Sequence, residues 1–386
     1  MMVSGWRTEV ATFNTGRHHS RAPSMGRIVT IIGTRPEIIK MAPVVKALDG
    51  LSHDHLLVHS GQHYDLMMDR IFFRDMRLRE PDHRFELRAQ PPHLQVATTM
   101  RQIADVASDA DLVLVHGDTN TTLAGALLAN KLGRPLGHVE AGIRSFDRRM
   151  PEEINRTVTD HLANHLFAPT EVSRNNLLQE NIREGVHVVG NSVIDALIQN
   201  IAIAEKKSRV LERLDLEAGG YLLLTFHRTE NVDEPVRLAQ ALEAFARAAK
   251  ESGRPIVFPV HPRTATNLKR FRLDRKAAAI EALRRIEPTS YLDMLVLERQ
   301  AALVMTDSGG LQEESCFFHV PCVTLRENTE RPETLAIGAN VLAGTDPSRV
   351  AAAVRIQLDA SRGWTNPYGD GTTSSQIAGI VDGVVR

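Results

Sequence analysis

The 386-residue chain is poor in cysteine, poor in aromatic residues and without a surplus of either charge. Cys316 and Cys322 are its two cysteines, and His319 lies midway between them. Three potential ligands at that spacing fit no common zinc pattern, and the apolar neighbours Phe317, Phe318 and Val320 point to buried structural residues. So few cysteines exclude a disulfide framework and suggest a reducing, cytoplasmic setting. No uninterrupted apolar run approaches the roughly 20 residues that span a bilayer, so no membrane partner is expected. Aromatics make up 5% of the chain, too few for a base-stacking platform. Forty-six Lys and Arg stand against 47 Asp and Glu, a net charge of −1. A nucleic-acid binder needs a long-range basic field, which this balance denies. Any anionic partner must be held by a few local cations.

What is present is ordinary globular material, 42% hydrophobic and 24% charged, in a length that suits two domains. Residues 1–24 are polar, with Arg7, Arg17 and Arg21 against one acid, Glu9. They lack the apolar centre of a secretory signal and read as a disordered extension, with only a faint transit-peptide character. From Met25 onward, short apolar strands alternate with helices. Strands are expected at Ile28–Ile32, His55–His59, Leu112–Val115, His138–Val139, Leu166–Ala168 and Val186–Val189. Helices are expected at Ile38–Leu48, Leu66–Phe73, Gln95–Ala107 and Thr121–Leu132. One long helix, Ser192–Leu216, precedes a second series: strands Tyr221–Thr225, Pro255–Val260, Leu303–Thr306 and Pro321–Leu325, with helices Leu238–Lys250 and Leu292–Arg299. This alternation predicts an α/β protein of two doubly wound, Rossmann-like units in tandem, hinged near residue 190.

In such sheets ligands bind at the carboxyl ends of the strands, so the polar residues that follow each apolar run are the candidates. Gly33-Thr-Arg-Pro-Glu37 follows the first strand; Gly33 permits a sharp turn, Pro36 suits a helix start and Arg35 could meet an anion, or the segment is an ordinary turn. His116-Gly-Asp-Thr-Asn120 follows the Leu112–Val115 strand, where Asp118 is either functional or a helix cap. Glu140-Ala-Gly-Ile-Arg144 and Pro151-Glu-Glu-Ile-Asn-Arg156 bring further acids. Three carboxylates at one end of a sheet suggest an acid/base cluster, since neighbouring carboxylates raise one another's pKa. In the second half, His227 tops a strand, where an isolated His is more often structural, and His261 is read as structural. Thr306-Asp-Ser-Gly-Gly-Leu-Gln-Glu-Glu314 runs from a strand into a helix, and the N–H groups of Ser308, Gly309 and Gly310 could face a phosphate. The alternative is that Asp307 or Ser308 caps the helix, but a glycine pair is poor helix-start material without a close ligand. Glu314 could reach a ribose diol from that helix.

Taken in order, Gly33-Thr-Arg-Pro-Glu-Ile-Ile-Lys-Met-Ala-Pro43, His116-Gly-Asp-Thr119, Val139-Glu-Ala-Gly142, Pro151-Glu-Glu153, Thr225-Phe-His-Arg-Thr-Glu-Asn231, Thr306-Asp-Ser-Gly-Gly310 and Thr329-Glu-Arg-Pro-Glu333 resemble the non-hydrolysing UDP-N-acetylglucosamine 2-epimerases. The resemblance runs from about Met25 to Asn366-Pro-Tyr-Gly-Asp-Gly371. It implies a glycosyltransferase-B-like fold with domains at 25–190 and 191–364 facing a cleft, and a helix in 365–386 returning to the first domain. It implies interconversion of UDP-N-acetylglucosamine and UDP-N-acetylmannosamine through loss of the C2 proton, elimination of UDP to 2-acetamidoglucal, and re-addition. By this resemblance Asp118, Glu140 and Glu152 match the carboxylates around C2 and the anomeric carbon, with acid and base unassigned. His227 and Arg35 match contacts to diphosphate and sugar, and Lys40 the lysine of the first helix. Ser308, Gly309 and Gly310 would meet phosphate, Glu314 the ribose and Arg331 the phosphate side. No cofactor and no metal are implied, and a homodimer is usual for these relatives.

Two segments depart from the familiar bacterial pattern: the short Arg144–Glu153 stretch before the paired glutamates, and Gly61-Gln-His-Tyr-Asp65, where Asp65 replaces a second Gln. Both resemble a branch that includes archaeal enzymes and relatives acting on modified UDP sugars such as diacetamido-uronates. The alternatives are an epimerase of such a sugar, a hydrolysing epimerase, a glycosyltransferase of the same fold and a non-catalytic nucleotide-sugar binder.

Overall fold

The computed structural model describes residues 26–62, 72–87 and 89–386. The expected extension at 1–24 and most of the expected Leu66–Phe73 helix lie outside the described residues. The strands are runs of Val, Ile and Leu, residues whose branched side chains suit a pleated surface buried on both faces. In the first half they are β1 (Arg27–Ile32), β2 (Asp54–His59), β3 (His83–Arg84), β4 (Leu112–His116), β5 (Leu136–Val139), β6 (His165–Ala168) and β7 (Val186–Val188). All pair in parallel in the order β3-β2-β1-β4-β5-β6-β7. In the second half, β8 (Leu222–Thr225), β9 (Ile256–Pro259), β10 (Leu283–Ile286), β11 (Leu303–Thr306), β12 (Cys322–Thr324) and β13 (Asn340–Leu342) form a parallel sheet ordered β10-β9-β8-β11-β12-β13. Each order reverses direction at its first strand, between β1 and β4 and between β8 and β11. There the loops part to leave a crevice at the carboxyl ends.

Three expectations need correction. The long Ser192–Leu216 helix is two helices, Ser192–Lys207 and Val210–Arg213. Ser208 turns to an extended conformation between them; its hydroxyl donates to Asp293 at 2.5 Å and accepts from the Val210 N–H at 3.2 Å, so a polar turn competes with helix continuation. β3, β10 and β13 escape sequence reading because they are short or carry charge; β10 reads Leu-Arg-Arg-Ile, with both arginines exposed. Gly33 is required for space rather than for a turn. Its φ is not in the left-handed region, but a Cβ there would sit 2.3 Å from both Ser60 Oγ and Thr121 Oγ1.

The helix Ser192–Lys207 is the strut between the sheets. It packs against Arg35–Asp49 of the first half, Tyr291–Arg299 of the second and the C-terminal helix Thr373–Val385. One apolar cluster runs through it, joining Val45 and Leu48, Val193 and Leu197, Leu295, and Ile377 and Val381. The C-terminal helix thus lies on the first half, where His53 Nε2 meets Asp382 at 3.0 Å. On the way there the chain passes Asn191, whose N–H donates to the Tyr368 carbonyl at 2.8 Å. Cys316 and Cys322 are free thiols in the second half, each pushed up to about 12 by burial. His319 stacks on Trp364, and its Nδ1 lies 2.9 Å from the Arg362 carbonyl.

Candidate active site

The first wall of the crevice is built by the loops after β1, β4 and β5. Thr34 caps the helix Arg35–Asp49 in a reciprocal box with Glu37. Glu37 does more than cap: it accepts from Gly33 N and Thr34 N at 2.7 Å and from the Thr119 and Thr122 hydroxyls at 2.8 and 3.2 Å. It thereby ties the Arg35 loop to the Asp118 loop. Burial pushes its carboxyl up to about 7 against the pull of these donors. The cap of the next helix, Asn120–Leu132, is Thr119, which accepts from Thr122 N, so the capping alternative for Asp118 is wrong. Asp118 pairs with Arg156, and its carbonyl accepts from Asn155 at 2.9 Å. Beneath it, His138 faces Asp160 through Nδ1 at 2.6 Å and donates from Nε2 to the Gly117 carbonyl at 2.8 Å.

Glu140 is the centre. Its φ is +72°, a left-handed conformation that costs a non-glycine residue roughly 1–2 kcal/mol. Its Oε1 accepts from Lys40 Nζ at 2.5 Å, Asn191 Nδ2 at 3.1 Å and Arg331 Nη2 at 3.2 Å. Oε2 instead faces the Gly117 loop, with His116 Nε2 at 3.6 Å. Burial pushes Glu140 up, but Lys40, His116 and Arg331 outweigh it and hold the carboxyl well below the usual range. Burial pushes His116 down to about 4. The same cluster continues into the second half. Arg331 Nε donates to Glu313 at 2.5 Å, Asn191 donates to Glu313 at 3.0 Å, and Lys40 lies 3.5 Å from it. Two cations and two carboxylates thus face one another without solvent, which lone charges could not do.

Glu152 differs. Its neighbour Glu153 is the buried one, accepting from Ser145 and Phe146 N–H groups at 2.9 Å and from Arg156 at 3.0 Å. Glu152 is 39% exposed, with Arg228 of the second half 3.9 Å away.

On the second wall, Asp307 is fully buried and accepts from the N–H groups of His227 and Arg228 and from Asn231. It locks the loops after β8 and β11 together rather than capping the helix. His227 Nδ1 lies 3.2 Å from Asp307, and its ring packs on His261. His261 caps Pro262–Arg270 by accepting from Arg263 N, in line with its structural reading. Ser308 stands at the cap of Gly309–Phe317 without a side-chain bond to the helix. A Cβ on Gly309 would be 3.5 Å from Arg331 Cζ, and one on Gly310 would be 3.6 Å from Glu314 Oε1. Neither glycine is demanded by packing or by a left-handed φ. What they provide is a bare helix N-terminus beside a guanidinium, a suitable cradle for a phosphate. Burial and the neighbouring His227 push the His261 imidazole below its ordinary range, and the charge of Arg35 from the first wall adds slightly to this.

The structure therefore gathers Lys40, Glu140 and Arg331 into one network. Asp118 stands on the loop beside it, while Glu152 and Arg228 meet across the two walls. Sequence reading missed Glu313 and Asn191, and the supports Glu37, Arg156 and Glu153. Glu313 adjoins Glu314 in the same motif, but adjacent helical residues diverge, and one carboxyl joins the charged network while the other does not. Among the described residues no group of three or more His, Cys, Asp or Glu side chains is arranged to hold a metal, and no helix is long and apolar enough to cross a membrane.

Residues 46–382 match the family model described as UDP-N-acetylglucosamine 2-epimerase. A protein of Methanococcus maripaludis named UDP-N-acetylglucosamine 2-epimerase is 47% identical over 93% of this chain and 99% of its own. The crystal structure of Methanocaldococcus jannaschii UDP-GlcNAc 2-epimerase in complex with UDP-GlcNAc and UDP superposes with a TM-score of 0.87 at 45% identity, covering 92% of this chain and 99% of that one. A UDP-2,3-diacetamido-2,3-dideoxy-D-glucuronate 2-epimerase of Pseudomonas aeruginosa is 38% identical over 91% of this chain and 98% of its own. The crevice between two reversed parallel sheets, the motif residues that line it and a family match over most of the length agree: this chain belongs to the UDP-N-acetylglucosamine 2-epimerase family.

Proposed function

We propose that the chain interconverts UDP-N-acetylglucosamine and UDP-N-acetylmannosamine without net hydrolysis. A carboxylate removes the C2 proton, UDP leaves from the anomeric carbon to give 2-acetamidoglucal, a proton is delivered to the opposite face and UDP adds back. The observation that carries this reading is Glu140: an ionised carboxylate with three donors on one oxygen and the other turned to the Asp118 loop. Work on a weakly acidic C–H needs carboxyl groups that are dry and fixed, and the donors that fix Glu140 also lower its basicity, so it acts as one member of an acid/base set rather than as a strong base. Asp118 and Glu152 complete the acid/base set around C2 and the anomeric carbon. Charge building on the departing diphosphate calls for donors, which Ser308, Gly309 and Gly310 supply from the helix end and Arg331, Arg35 and His227 from the walls. Lys40 holds Glu140, and Glu314 receives the ribose hydroxyls. The cleft reading takes 25–190 and 191–364 as its two walls and 365–386 as the return to the first; a cytoplasmic homodimer that uses no cofactor fits the same reading.

Incubation with UDP-N-acetylglucosamine in D₂O, followed by proton NMR, tests it. Deuterium at C2 of an intact UDP sugar is expected in both epimers. Net release of UDP, or exchange only when an acceptor is added, overturns it in favour of a hydrolysing epimerase or a glycosyltransferase. The 38% identity to the diacetamido-glucuronate enzyme favours a second reading, the same chemistry on a modified UDP sugar. A panel of UDP-HexNAc sugars in the same assay separates the two.

A further inference from the structure

Behind the helix Gly309–Phe317 lies an acid outside the machinery above. Glu298, near the end of Tyr291–Arg299, is 0% exposed. Neither of its oxygens has a hydrogen-bond donor, and the Tyr291 hydroxyl, one and then another turn back on the same helix face, is buried and unpartnered as well. What Glu298 does touch is another carboxyl, that of Glu314. The other ionisable groups facing it are Tyr291, Tyr221 and Cys322, none of them a cation. Tyr221 is already committed, donating to the Leu297 carbonyl at 2.6 Å. On Glu314 itself, Lys40 favours the charged form and Glu313 opposes it.

Two ionised carboxylates cannot share such a place without solvent, and two carboxyls can bond only if one keeps a proton. Glu298 is fully buried whereas Glu314 is only partly so, and the proton therefore belongs on Glu298. Glu314 folds back along its helix, with Oε1 close to Gly310, towards the bare N-terminus.

We propose that Glu298 is a positioning residue: as a neutral acid it donates a hydrogen bond to the Glu314 carboxylate and fixes the orientation in which Glu314 receives the ribose diol of the nucleotide. This rests on the reading of Glu314 as the ribose contact. Burial pushes both carboxyls above the usual range, in accord with one shared proton. Glu298 touches no reacting atom, so its loss acts on nucleotide binding and not on the chemical step.

The test compares UDP with 2′-deoxy-UDP as competitive inhibitors of the wild type, Glu298→Gln, Glu298→Leu and Glu314→Ala. Glu298→Leu is expected to raise the UDP constant about tenfold or more, the scale of one charge-assisted hydrogen bond, and to collapse the preference for UDP over its 2′-deoxy analogue. Its kcat should change less than about threefold. Glu298→Gln keeps an N–H donor and should retain the preference. Infrared difference spectra of wild type against Glu298→Gln at neutral pH should show a protonated carboxyl band in the wild type alone. This keeps the proposal testable even if the leucine variant folds poorly. An unchanged preference in Glu298→Leu, equal loss in Glu298→Gln, or no protonated carboxyl band overturns it. If Glu314→Ala also leaves the preference intact, the ribose reading of Glu314 falls with it; if Glu314→Ala loses the preference and Glu298→Leu does not, only the role of Glu298 falls.

Discussion

Glu140 concentrates most of what single residues do here. Its backbone would suit a glycine, yet the position holds a side chain that bonds three donors. Glu140→Gln and Asp118→Asn should each lower turnover by about 10²-fold or more, the usual scale for an acid/base group. A near-normal steady-state rate in either variant removes that role. Glu140→Gln also leaves Lys40 and Arg331 sharing one carboxylate, and breaking a buried pair costs about 3–5 kcal/mol. Urea denaturation should register the loss, and saturating UDP should restore part of it, because UDP brings negative charge to the same cations.

Glu37 predicts a pH effect of definite sign. A carboxyl raised from 4.5 to about 7 keeps, in the folded state, a proton that the unfolded chain has released. Its contribution to stability is whole below pH 4.5 and is lost as pH rises towards 7 and beyond, by about 3 kcal/mol for a shift of this size. Glu37→Gln should flatten the decline between pH 5 and about 8 when its denaturation curves are set beside those of the wild type; parallel curves would show that Glu37 does not titrate there. Glu37 also illustrates why residues of this kind are hard to read from sequence. Its spacing from Thr34 announces a capping box, but its bonds to Thr119 and Thr122 span 82 and 85 residues and become visible only once β1 and β4 lie side by side.

Among the elements, strands of continuous apolar residues were legible almost to the residue; β11 falls on the expected Leu303–Thr306. The two-residue β3, the charged β10 and the short, Asn-led β13 were not, because pairing rather than composition makes them strands. The helix Gly309–Phe317 is where element and site coincide. Gly309→Ala adds a methyl at ordinary contact distance from Arg331 and replaces a flexible residue in a helix, so stability should hold or rise by up to about 1 kcal/mol. The same methyl stands where a phosphate would approach the helix N–H groups. A KM for the UDP sugar raised at least about tenfold, in a protein that melts no lower than wild type, is the expected result, tenfold being about one charged hydrogen bond. An unchanged KM would mean the anion does not dock at this helix end.

At the scale of the whole molecule, alternation of strand and helix was enough to foretell two doubly wound sheets. The return of Thr373–Val385 to the first half followed only from family resemblance, since nothing in its own Ile and Val pattern says which surface it covers. That surface includes Val45 and Leu48 of Arg35–Asp49. Deleting residues 373–386 should therefore destabilise the first half rather than the second. Hydrogen exchange should show loss of protection in β1 and β2 while β8 and β11 stay protected; equal loss in both sheets would contradict the packing.

The same return bears on how the two sheets are joined. The polypeptide passes between the walls at Gly190–Asn191 and again at Tyr368–Gly369, and the two passages are bonded to each other by Asn191 N–H to the Tyr368 carbonyl. Gly190, with φ +87°, lets them touch; a Cβ there would fall 2.6 Å from Thr373 Oγ1 and 2.9 Å from that carbonyl. A single covalent passage works like a tether and permits twist as well as bend. Two joined passages work like a door hung on two pins, with one axis of swing. Distances between spin labels on the two walls should then change together, as one coordinate, when UDP is added, whereas independent changes would reveal a looser joint.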